Sequence, residues 1–247
     1  MAAFMAQKQQ TLSQADLSKK GSIDEPIVNL VDYINGLDAF FTTSSCSGRI
    51  SVFTEGHGQR KKCSEWRYIT HGQADLESVL ESLEDCKRDA VLKFEPFVLH
   101  VQCKSLEHAQ LMLKASLESG YKNSGIVIGR KSRYMMAVRS THSLEVPLIC
   151  NGNLLVSKEY IQYVVDMANK KMEDNKDRIQ RFYTKLKEAI QAEKKKREPN
   201  ADKRRGSRRT PHLESEKTSS VQDVLSNDDS EDIEDCLAGF YGDLDDK

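Results

Sequence analysis

The first stretch with residue types suited to chemistry is FFTTSSCSGRISVF, at residues 40–53. Gly48 permits a backbone conformation, or a close approach of another group to the backbone, that a Cβ atom would block. Arg49 offers a planar fork of donors that suits a phosphate or a carboxylate, and serine hydroxyls such as that of Ser45 add donors. The stretch therefore predicts a loop that contacts an anion or a nucleotide. The alternative is a strand that follows a glycine turn, with Arg49 in an ion pair.

Cys46 lies in the middle of the same stretch. A thiol beside a cation can be an activated nucleophile, because the positive charge favours the thiolate. Such a side chain can also serve only to pack the segment and shape a pocket. The chain has six cysteines and no C-x-x-C pair. A set of Cys46, Cys63 and a histidine matches no usual zinc spacing, so we expect no metal.

His100 and Gln102 are two residues apart in FVLHVQC, a segment that predicts a strand. Side chains two apart on a strand point to the same face. Two polar groups on one face of an otherwise apolar strand predict a hydrogen-bond network or a site. A buried histidine with satisfied hydrogen bonds is the alternative.

Two further polar segments lie beside predicted strands. The segment SGYKNSG follows a helix and contains Tyr121, Asn123, Ser124 and Gly125. Loops of this kind bind ligands, although a plain helix C-cap explains the same residues. The segment AVRSTHSLEVP ends a strand and contains Arg139, Ser140, Thr141 and Glu145. Strand exits often carry function, although an ion pair between Arg139 and Glu145 would explain two of these residues.

The elements that must position these residues follow from caps and periodicity. Ser22 and Glu25 have the spacing of a capping box before a helix, and Ser157 caps a long amphipathic helix that reaches about Ile190. RISVF, EWRYITHG and AVLKFEPFVLHVQCK predict strands, and GIVIGRKSRYMMAVRS predicts a hairpin. Helices and strands alternate, yet strands joined as hairpins occur twice. The predicted fold is therefore a single α+β domain with a largely antiparallel sheet and flanking helices, rather than a doubly wound parallel sheet.

The regular patterns stop near residue 192. The chain is 38% hydrophobic and 30% charged, with a mean hydropathy of −0.61, which predicts that part of it is unfolded. We predict an ordered domain over residues 1–192 and a disordered tail over residues 193–247, basic at first and then acidic. Nine basic residues lie in KKKREPNADKRRGSRR. This block suits a nuclear import signal or an RNA-contacting arm, and the alternative is a solvated charged tail.

The composition also bears on location. No apolar run approaches the length of a membrane span, and the first residues lack the pattern of a secretory signal. We therefore expect a cytoplasmic protein with free thiols and no membrane partner, with entry into the nucleus through the basic tail as an option.

The order of the motifs is more specific than any one of them. SSCSGRI, KFEPFVLHVQC, SGYKNSGI and AVRSTHSLEVPL follow one another as they do in the tRNA wybutosine-synthesizing protein 3 family. The chain resembles that family over about residues 12–190, the long helix included. The resemblance implies an S-adenosylmethionine-dependent methyltransferase. Its substrate would be N4 of the tricyclic wyosine-type base on the 3′ side of the anticodon of phenylalanine tRNA, during wybutosine synthesis.

The resemblance further implies that the polar residues of the four motifs surround one site for S-adenosylmethionine and the tRNA anticodon loop. These residues are Ser45, Cys46, Gly48, Arg49, His100, Gln102, Asn123, Ser124, Gly125, Arg139, Ser140, Thr141 and Glu145. No G-x-G-x-x-G follows a strand, so a non-Rossmann architecture must hold the methyl donor. We expect Tyr121 or Arg49 to stack on the base. His100, and after it Glu145, are the candidates for a general base.

A non-catalytic RNA-binding protein is the second hypothesis, because a basic tail and a mixed α+β domain would suit it. Phosphate contacts would come from GQRKK, GRKSR and the tail. RNA binding alone calls for aromatic and cationic residues, and not for His100, Gln102 and Glu145 gathered together. The residues therefore favour an enzyme.

Overall fold

A computed structural model describes residues 2–13, 21–54, 65–130 and 133–197. Within these ranges there are five α-helices: α1 (Ala2–Ser13), α2 (Val28–Asn35), α3 (Leu76–Leu83), α4 (Leu106–Glu118) and α5 (Lys158–Arg197). A short 3-10 helix, Glu25–Ile27, leads into α2. The strands are β1 (Phe40–Thr54), β2 (Glu65–Thr70), β3 (Ala90–Cys103), β4 (Gly125–Gly129), β5 (Arg133–Val138), β6 (Leu144–Cys150) and β7 (Asn153–Leu154).

The strands form one open antiparallel sheet in the order β2-β1-β3-β5-β4. The central strand β3 pairs with β1 along one edge. Its other edge pairs with β6 over residues 90–94 and with β5 over residues 99–103. The short strand β7 adds to β6. Every pairing is antiparallel, which confirms the predicted α+β fold with its antiparallel sheet.

Helices α2 to α5 cover one face of this sheet and bury two groups of apolar side chains. One group joins Phe97 and Leu99 of β3 to Phe182 of α5, together with α2 and α4. The other joins Ile50 of β1 to Ile161 in the first turns of α5, together with α3. Helix α5 therefore contributes to both groups and runs across the covered face.

The two central strands are irregular at the point where α5 crosses them. Asn175 of α5 is 0% exposed. Its Nδ2 donates to the Ser47 carbonyl at 2.7 Å, and its Oδ1 accepts from the Phe97 amide at 2.9 Å. Gly48 has a φ of +104°, and a Cβ there would lie 2.9 Å from Asn175 Nδ2. Only glycine fits this point, because both the conformation and the space exclude a side chain.

This irregularity changes which residues of β3 face the helices. Leu92 and Phe94 are core residues, and so are Phe97 and Leu99. The step of three residues between Phe94 and Phe97 breaks the alternation of a regular strand, at Pro96. After this step His100 and Gln102 point away from α2 to α5.

Helix α1 packs on the opposite face, at one end of the sheet. The ring of Phe4 lies 5.3 Å from that of Phe41, and Phe41 is the cross-strand neighbour of Gln102. Cross-strand neighbours share a face, so α1 shields the end of the face where Gln102 lies.

Helix α5 extends beyond the predicted end near Ile190. It continues to Arg197, although Ile190 is its last buried residue in the described part of the chain. Most of the predicted tail, residues 198–247, lies outside the described residues, and the boundary near residue 192 stays a prediction.

Candidate active site

The polar residues of the stretch SSCSGR lie on strand β1, not in a loop. Ser44 faces His100 across the ladder, and Cys46 is two residues further along β1 in regular register. Their side chains therefore share the face opposite α2 to α5, about 7 Å apart along the strand. Two clusters, one at each of these positions, make up the candidate site.

The first cluster joins Asp24, Cys46 and His71, and is called the Asp24–Cys46–His71 centre below. The ligand-type atoms of the three side chains lie within 4.8 Å of one another. Asp24 is 6% exposed, and its Oδ2 accepts from the Ser47 amide at 2.8 Å. His71 Nδ1 lies 3.2 Å from the same Oδ2 and 3.0 Å from the Gly48 carbonyl oxygen.

Local structure explains how residues so far apart in sequence meet here. Strand β2 pairs Thr70 with Ile50 and then ends, which brings His71 beside Gly48. The Ser47 amide accordingly bonds a side chain, Asp24, at the edge of β1. Asp24 occupies the N-cap of the 3-10 helix without a side-chain bond to that helix. The helix therefore does not start with the predicted capping box of Ser22 and Glu25.

The centre holds a charged histidine. The pKa of His71 is raised to about 10, first by its hydrogen bond with the Asp24 carboxylate and then by its contact with Cys46. His71 is thus an imidazolium at neutral pH, next to a carboxylate and a thiol.

Aspartate, cysteine and histidine are also ligand types that zinc accepts. In this centre, however, Asp24 Oδ2 and His71 Nδ1 are engaged with each other and with backbone groups. A bound cation would have to displace those bonds and the proton on His71. Cys63, considered as a ligand above, lies outside the described residues.

The second cluster centres on His100, which is 2% exposed. Arg139 Nη2 lies 3.2 Å from His100 Nε2, and Ser44 Oγ lies 2.9 Å from His100 Nδ1. A guanidinium can only donate, so Nε2 must be the acceptor, and the proton of the neutral ring sits on Nδ1 and is donated to Ser44. Burial, and then the charge of Arg139, lower the pKa of His100 to about 4. His100 is therefore neutral at pH 7.

The predicted roles of Gly48 and Arg49 need correction. The space beside Gly48 is filled by Asn175 and not by a ligand. Arg49 pairs with Glu95, and its guanidinium lies 4.5 Å from the ring of Trp66. The structure thus has the alternative arrangement, a strand with an arginine ion pair, in which the guanidinium already contacts Glu95 and Trp66.

Tyr121 was expected to stack on the substrate, and the structure places it in the core. Its side chain is 0% exposed, with its ring 5.5 Å from Phe97 and 5.9 Å from Phe182. Gly120, at a φ of +96°, ends α4 and turns the chain inward here. Burial raises the pKa of the Tyr121 hydroxyl.

The residues that follow Tyr121 in SGYKNSG lie nearer the site. Asn123 is exposed. Ser124 Oγ accepts from the Arg139 amide at 3.1 Å, and Gly125 pairs with Ala137, which in turn faces His100. Part of this segment therefore borders the His100 cluster.

Glu145 lies outside both clusters. It faces Lys93 in the ladder, 3.3 Å from its Nζ, and not Arg139. His100 is seven residues further along β3, which corresponds to about 23 Å. Glu145 is thus too far from the clusters to serve them as a base, because β6 and β5 pair with opposite halves of β3.

The remaining predicted residues are divided between the two faces. Gln102 shares the face of His100 and is 2% exposed. Ser45 faces Leu99, on the side of the helices. Ser140 and Thr141 follow β5, and Ser140 Oγ accepts from the His142 amide at 3.3 Å.

Asp24 and His71 were missed in the sequence. Asp24 lies among residues typical of a helix start, so the sequence gave no sign that its side chain bonds the Ser47 amide of β1. His71 follows the predicted strand EWRYIT, and a polar residue at a strand exit was the signal that singled out Arg139. The same signal applied to EWRYITHG would have found His71.

The fold and the site define the class of protein first: an α+β protein built on an antiparallel sheet instead of a Rossmann fold, with an Asp–Cys–His centre beside one of its central strands. The family described as Methyltransferase TYW3 matches residues 6–188. The human tRNA wybutosine-synthesizing protein 3 homolog is 43% identical over 245 residues, 94% of each chain. The Xenopus laevis protein of that name is 50% identical over 195 residues, 77% of each chain. The chain belongs to the Methyltransferase TYW3 family.

A solved structure has a similar fold. The PH1069 protein from Pyrococcus horikoshii is 32% identical, with a TM-score of 0.68 over 74% of this chain and 95% of its own. The family model and the curated relatives confirm the family resemblance and the methyltransferase activity predicted from the motifs, together with the link to wybutosine synthesis in tRNA. None of the helices in the described ranges is long and apolar enough to cross a membrane.

Proposed function

We propose that this chain transfers a methyl group from S-adenosylmethionine to N4 of the wyosine-type base beside the anticodon of phenylalanine tRNA. The base would be 7-(3-amino-3-carboxypropyl)-4-demethylwyosine. The single observation that carries this proposal is the Asp24–Cys46–His71 centre, set on the SSCSGR strand of a chain that belongs to a methyltransferase family. The names of the relatives support the tRNA substrate.

The reaction moves a methyl group from a sulfonium to a ring nitrogen. The sulfur–methyl bond breaks and its electron pair stays on sulfur, so that the sulfonium becomes a neutral thioether. The nitrogen gains the bond to the methyl carbon, and the proton of the ring N–H passes to water. Such a transfer depends mainly on positioning of the two reactants in line. The nitrogen is the better nucleophile once its proton has gone, so the site must favour deprotonation.

His100 does not suit the role of general base for which it was the first candidate. Its Nε2 lone pair already accepts from Arg139, and a pKa of about 4 makes it a weak base at neutral pH.

In this proposal His71 supplies electrostatic stabilisation. Its imidazolium stabilises the negative charge that the base acquires when N4 loses its proton, which lowers the pKa of that N–H. Asp24 keeps His71 charged and oriented, and Cys46 packs against its ring. A covalent bond from Cys46 is not required, because the acceptor nitrogen has its own lone pair.

The face that holds the two clusters fits a polar ligand such as S-adenosylmethionine. Gln102 Oε1 is buried and has no hydrogen-bond partner among the described residues, and a Cβ built on Gly125 would meet nothing within 4 Å. When bound, S-adenosylmethionine supplies an electrophilic methyl group. Exposed Lys122 and Arg130, which flank the edge strand β4, and exposed Arg133, which begins β5, would contact tRNA phosphates.

Calorimetry with S-adenosylmethionine tests the donor, and single-turnover methylation of precursor tRNA tests the centre. Asp24→Asn keeps the shape of the side chain but removes the charge that holds the His71 proton. We expect at least about a hundredfold slower methylation, with unchanged donor affinity and a thermal midpoint that is lower than that of the parent but stays above the assay temperature. A parent protein that binds tRNA but no S-adenosylmethionine would instead be a non-catalytic RNA-binding protein.

Cys46→Ala is the matched control in the same centre. It removes the thiol and leaves the Asp24–His71 pair intact, so we expect it to stay folded and retain far more turnover than Asp24→Asn. No protein–tRNA adduct should survive denaturing gels. A folded but inactive Cys46→Ala protein, or such an adduct in the parent reaction, would make Cys46 a catalyst and overturn these roles.

A further inference from the structure

The side-chain oxygen of Gln102 is buried without a hydrogen bond on the face that holds the candidate site. Gln102 is 2% exposed, and its Oε1 has no hydrogen-bond partner among the described residues. Buried polar atoms in native proteins nearly always have a partner. An amide oxygen can only accept, so Gln102 points to a ligand that supplies an N–H or O–H group.

Apolar side chains surround this amide on the same face. Gln102 faces Phe41 of β1 and Met135 of β5 in the ladder, and Met135 in turn faces Val127 of β4. Cross-strand neighbours share a face, so the four side chains form a row across four strands. Phe41 is buried, Met135 is half-buried and Val127 is 48% exposed. A polar group within such an apolar row suits the edge of a planar heterocycle, whose two faces are apolar.

The row lies at a suitable distance from the Asp24–Cys46–His71 centre. Cys46 faces Val98 in the ladder, and Gln102 is four residues further along β3, which corresponds to about 13 Å. A ligand that has its methyl group at the centre and extends along β3 therefore brings its far end to Gln102. In S-adenosylmethionine that far end is adenine, which is joined to the sulfonium through the ribose.

We propose that Gln102 binds the adenine of the methyl donor. A glutamine amide matches one edge of adenine, because its oxygen accepts from the exocyclic amino group while its nitrogen donates to the neighbouring ring nitrogen. The ring N–H of the proposed nucleobase fits less well, since its proton leaves in the reaction and the methyl group takes its place. This inference rests on the proposed function, because it takes S-adenosylmethionine as the donor.

Helix α1 is the element that limits access to Gln102. It shields this end of the face through Phe4, whose ring lies 5.3 Å from that of Phe41. Among the described side chains of α1, those that face inward are Phe4, Gln7, Lys8 and Thr11. Phe4 is the one apolar member of this stripe, and Lys8 Nζ donates to the Leu37 carbonyl oxygen at 2.6 Å. A helix held by so little apolar surface opens at a low cost in free energy, which gives the adenine access.

Calorimetry with two analogues of the donor tests the inference. S-adenosylhomocysteine has the amino group of adenine, and S-inosylhomocysteine has a carbonyl oxygen in its place. We expect the parent protein to bind S-adenosylhomocysteine at least about tenfold more tightly, because the carbonyl oxygen of the other compound would face Gln102 Oε1 with no proton between them. This comparison needs no substitution, so it does not depend on the folding of a variant.

Gln102→Met removes the amide and keeps the length of the side chain. We expect at least about tenfold weaker binding of S-adenosylhomocysteine, and a ratio of the two affinities that is close to one. Met135→Leu is the matched control in the same row, because it changes an apolar neighbour and leaves the Gln102 amide in place. It should keep the parental ratio. Thermal midpoints, measured in the same buffer, confirm that each variant is folded before the affinities are compared.

Other results contradict the inference in different ways. Equal affinity of the parent for the two compounds would show that the adenine amino group is not bound, and a parental ratio in Gln102→Met would place that group at another residue. Unchanged affinity of Gln102→Met for S-adenosylhomocysteine, with a raised KM for precursor tRNA, would assign Gln102 to the nucleobase. A parent protein that binds neither compound would overturn the proposed function itself.

Discussion

His71 and His100 show how one residue type takes opposite charge states on one face of a sheet. His71 lies against a carboxylate, which raises its pKa to about 10. His100 is buried and lies against a guanidinium, which together lower its pKa to about 4. One imidazole is therefore a fixed positive charge at neutral pH and the other a neutral hydrogen-bond acceptor. The sequence distinguishes neither state, because both depend on partners from other elements.

The raised pKa of His71 predicts how stability depends on pH. The folded pKa, about 10, exceeds the ordinary value of 6.5, so the folded state holds this proton more tightly than the unfolded state does. The stabilisation is complete below about pH 6.5 and is lost as the pH rises toward 10. Denaturant unfolding of the parent and of His71→Gln between pH 6 and 10 should therefore show a steeper fall for the parent.

NMR titration of the His71 ring gives the pKa directly. Parallel stability curves for the two proteins, or a ring that titrates near 6.5, would show that Asp24 does not hold the proton on His71. His100 predicts the opposite dependence at acidic pH. Its folded pKa of about 4 is below the ordinary value of 6.5, so the free energy of unfolding should fall as the pH falls from 6.5 toward 4.

At the scale of elements, helix α5 binds the backbone of neighbouring segments through two asparagine side chains. Asn175 bonds backbone groups of β1 and β3 and is 0% exposed. Asn169, nearly two turns earlier, bonds both the amide and the carbonyl of Ala74 at 2.7 and 2.9 Å and is only half-buried. Helix α5 therefore binds the sheet through the hydrogen bonds of Asn175 as well as through its apolar face. The bonded residue Ser47 is next to Cys46 on β1, so these bonds also fix the strand that carries the site.

Asn175→Ala should destabilise the protein strongly. It leaves the Ser47 carbonyl and the Phe97 amide buried without partners, at about 1–3 kcal/mol each. Asn169→Ala is the matched control on the same helix, and it should cost about 1 kcal/mol, because Asn169 is only half-buried and water can take the place of its side chain. Denaturant unfolding of both variants measures the difference. Equal losses would mean that Asn175 contributes no more than a partly exposed asparagine.

At the scale of the whole molecule, the described fold makes its core without the C-terminal segment. The last buried residue of α5 is Ile190 among those described. A relative in Arabidopsis thaliana named tRNA wybutosine-synthesizing protein 2/3/4 matches 69% of this chain within 19% of its own length, at 37% identity. The same domain thus occurs as one part of a much longer chain, which is consistent with a core that folds independently.

Deletion of residues 193–247 should leave the thermal midpoint nearly unchanged, because it removes none of the buried residues in the described part of the chain. It should weaken tRNA binding most at low salt and reduce the salt dependence, since nine basic residues of the segment would contact phosphates. Calorimetry measures the midpoint, and tRNA binding at several salt concentrations gives the slope.

A full-length variant with those nine residues replaced by glutamine is the control, and it should reproduce the change in tRNA binding. A large fall of the midpoint on deletion would show that the segment packs on the domain, and the boundary near residue 192 would be wrong.

The sequence by itself determined the features that depend on neighbours in the chain. Alternation along FVLHVQC placed His100 and Gln102 on one face, and helical periodicity found the long helix α5. Hairpin turns indicated an antiparallel sheet, and the order of the four motifs indicated the family. Each of these signals is local, because it reflects the repeat of a strand or a helix or the chemistry of a short turn.

Only the tertiary structure decided which residues form the site. Asp24, Cys46 and His71 meet because β2 ends opposite Gly48 and the residue before a 3-10 helix bonds the edge of β1. Tyr121 turns into the core, where α4 ends, instead of facing a substrate. These outcomes depend on strand register and on the packing of α5 against the sheet, which couple residues far apart in the chain and leave no periodic signal in the sequence.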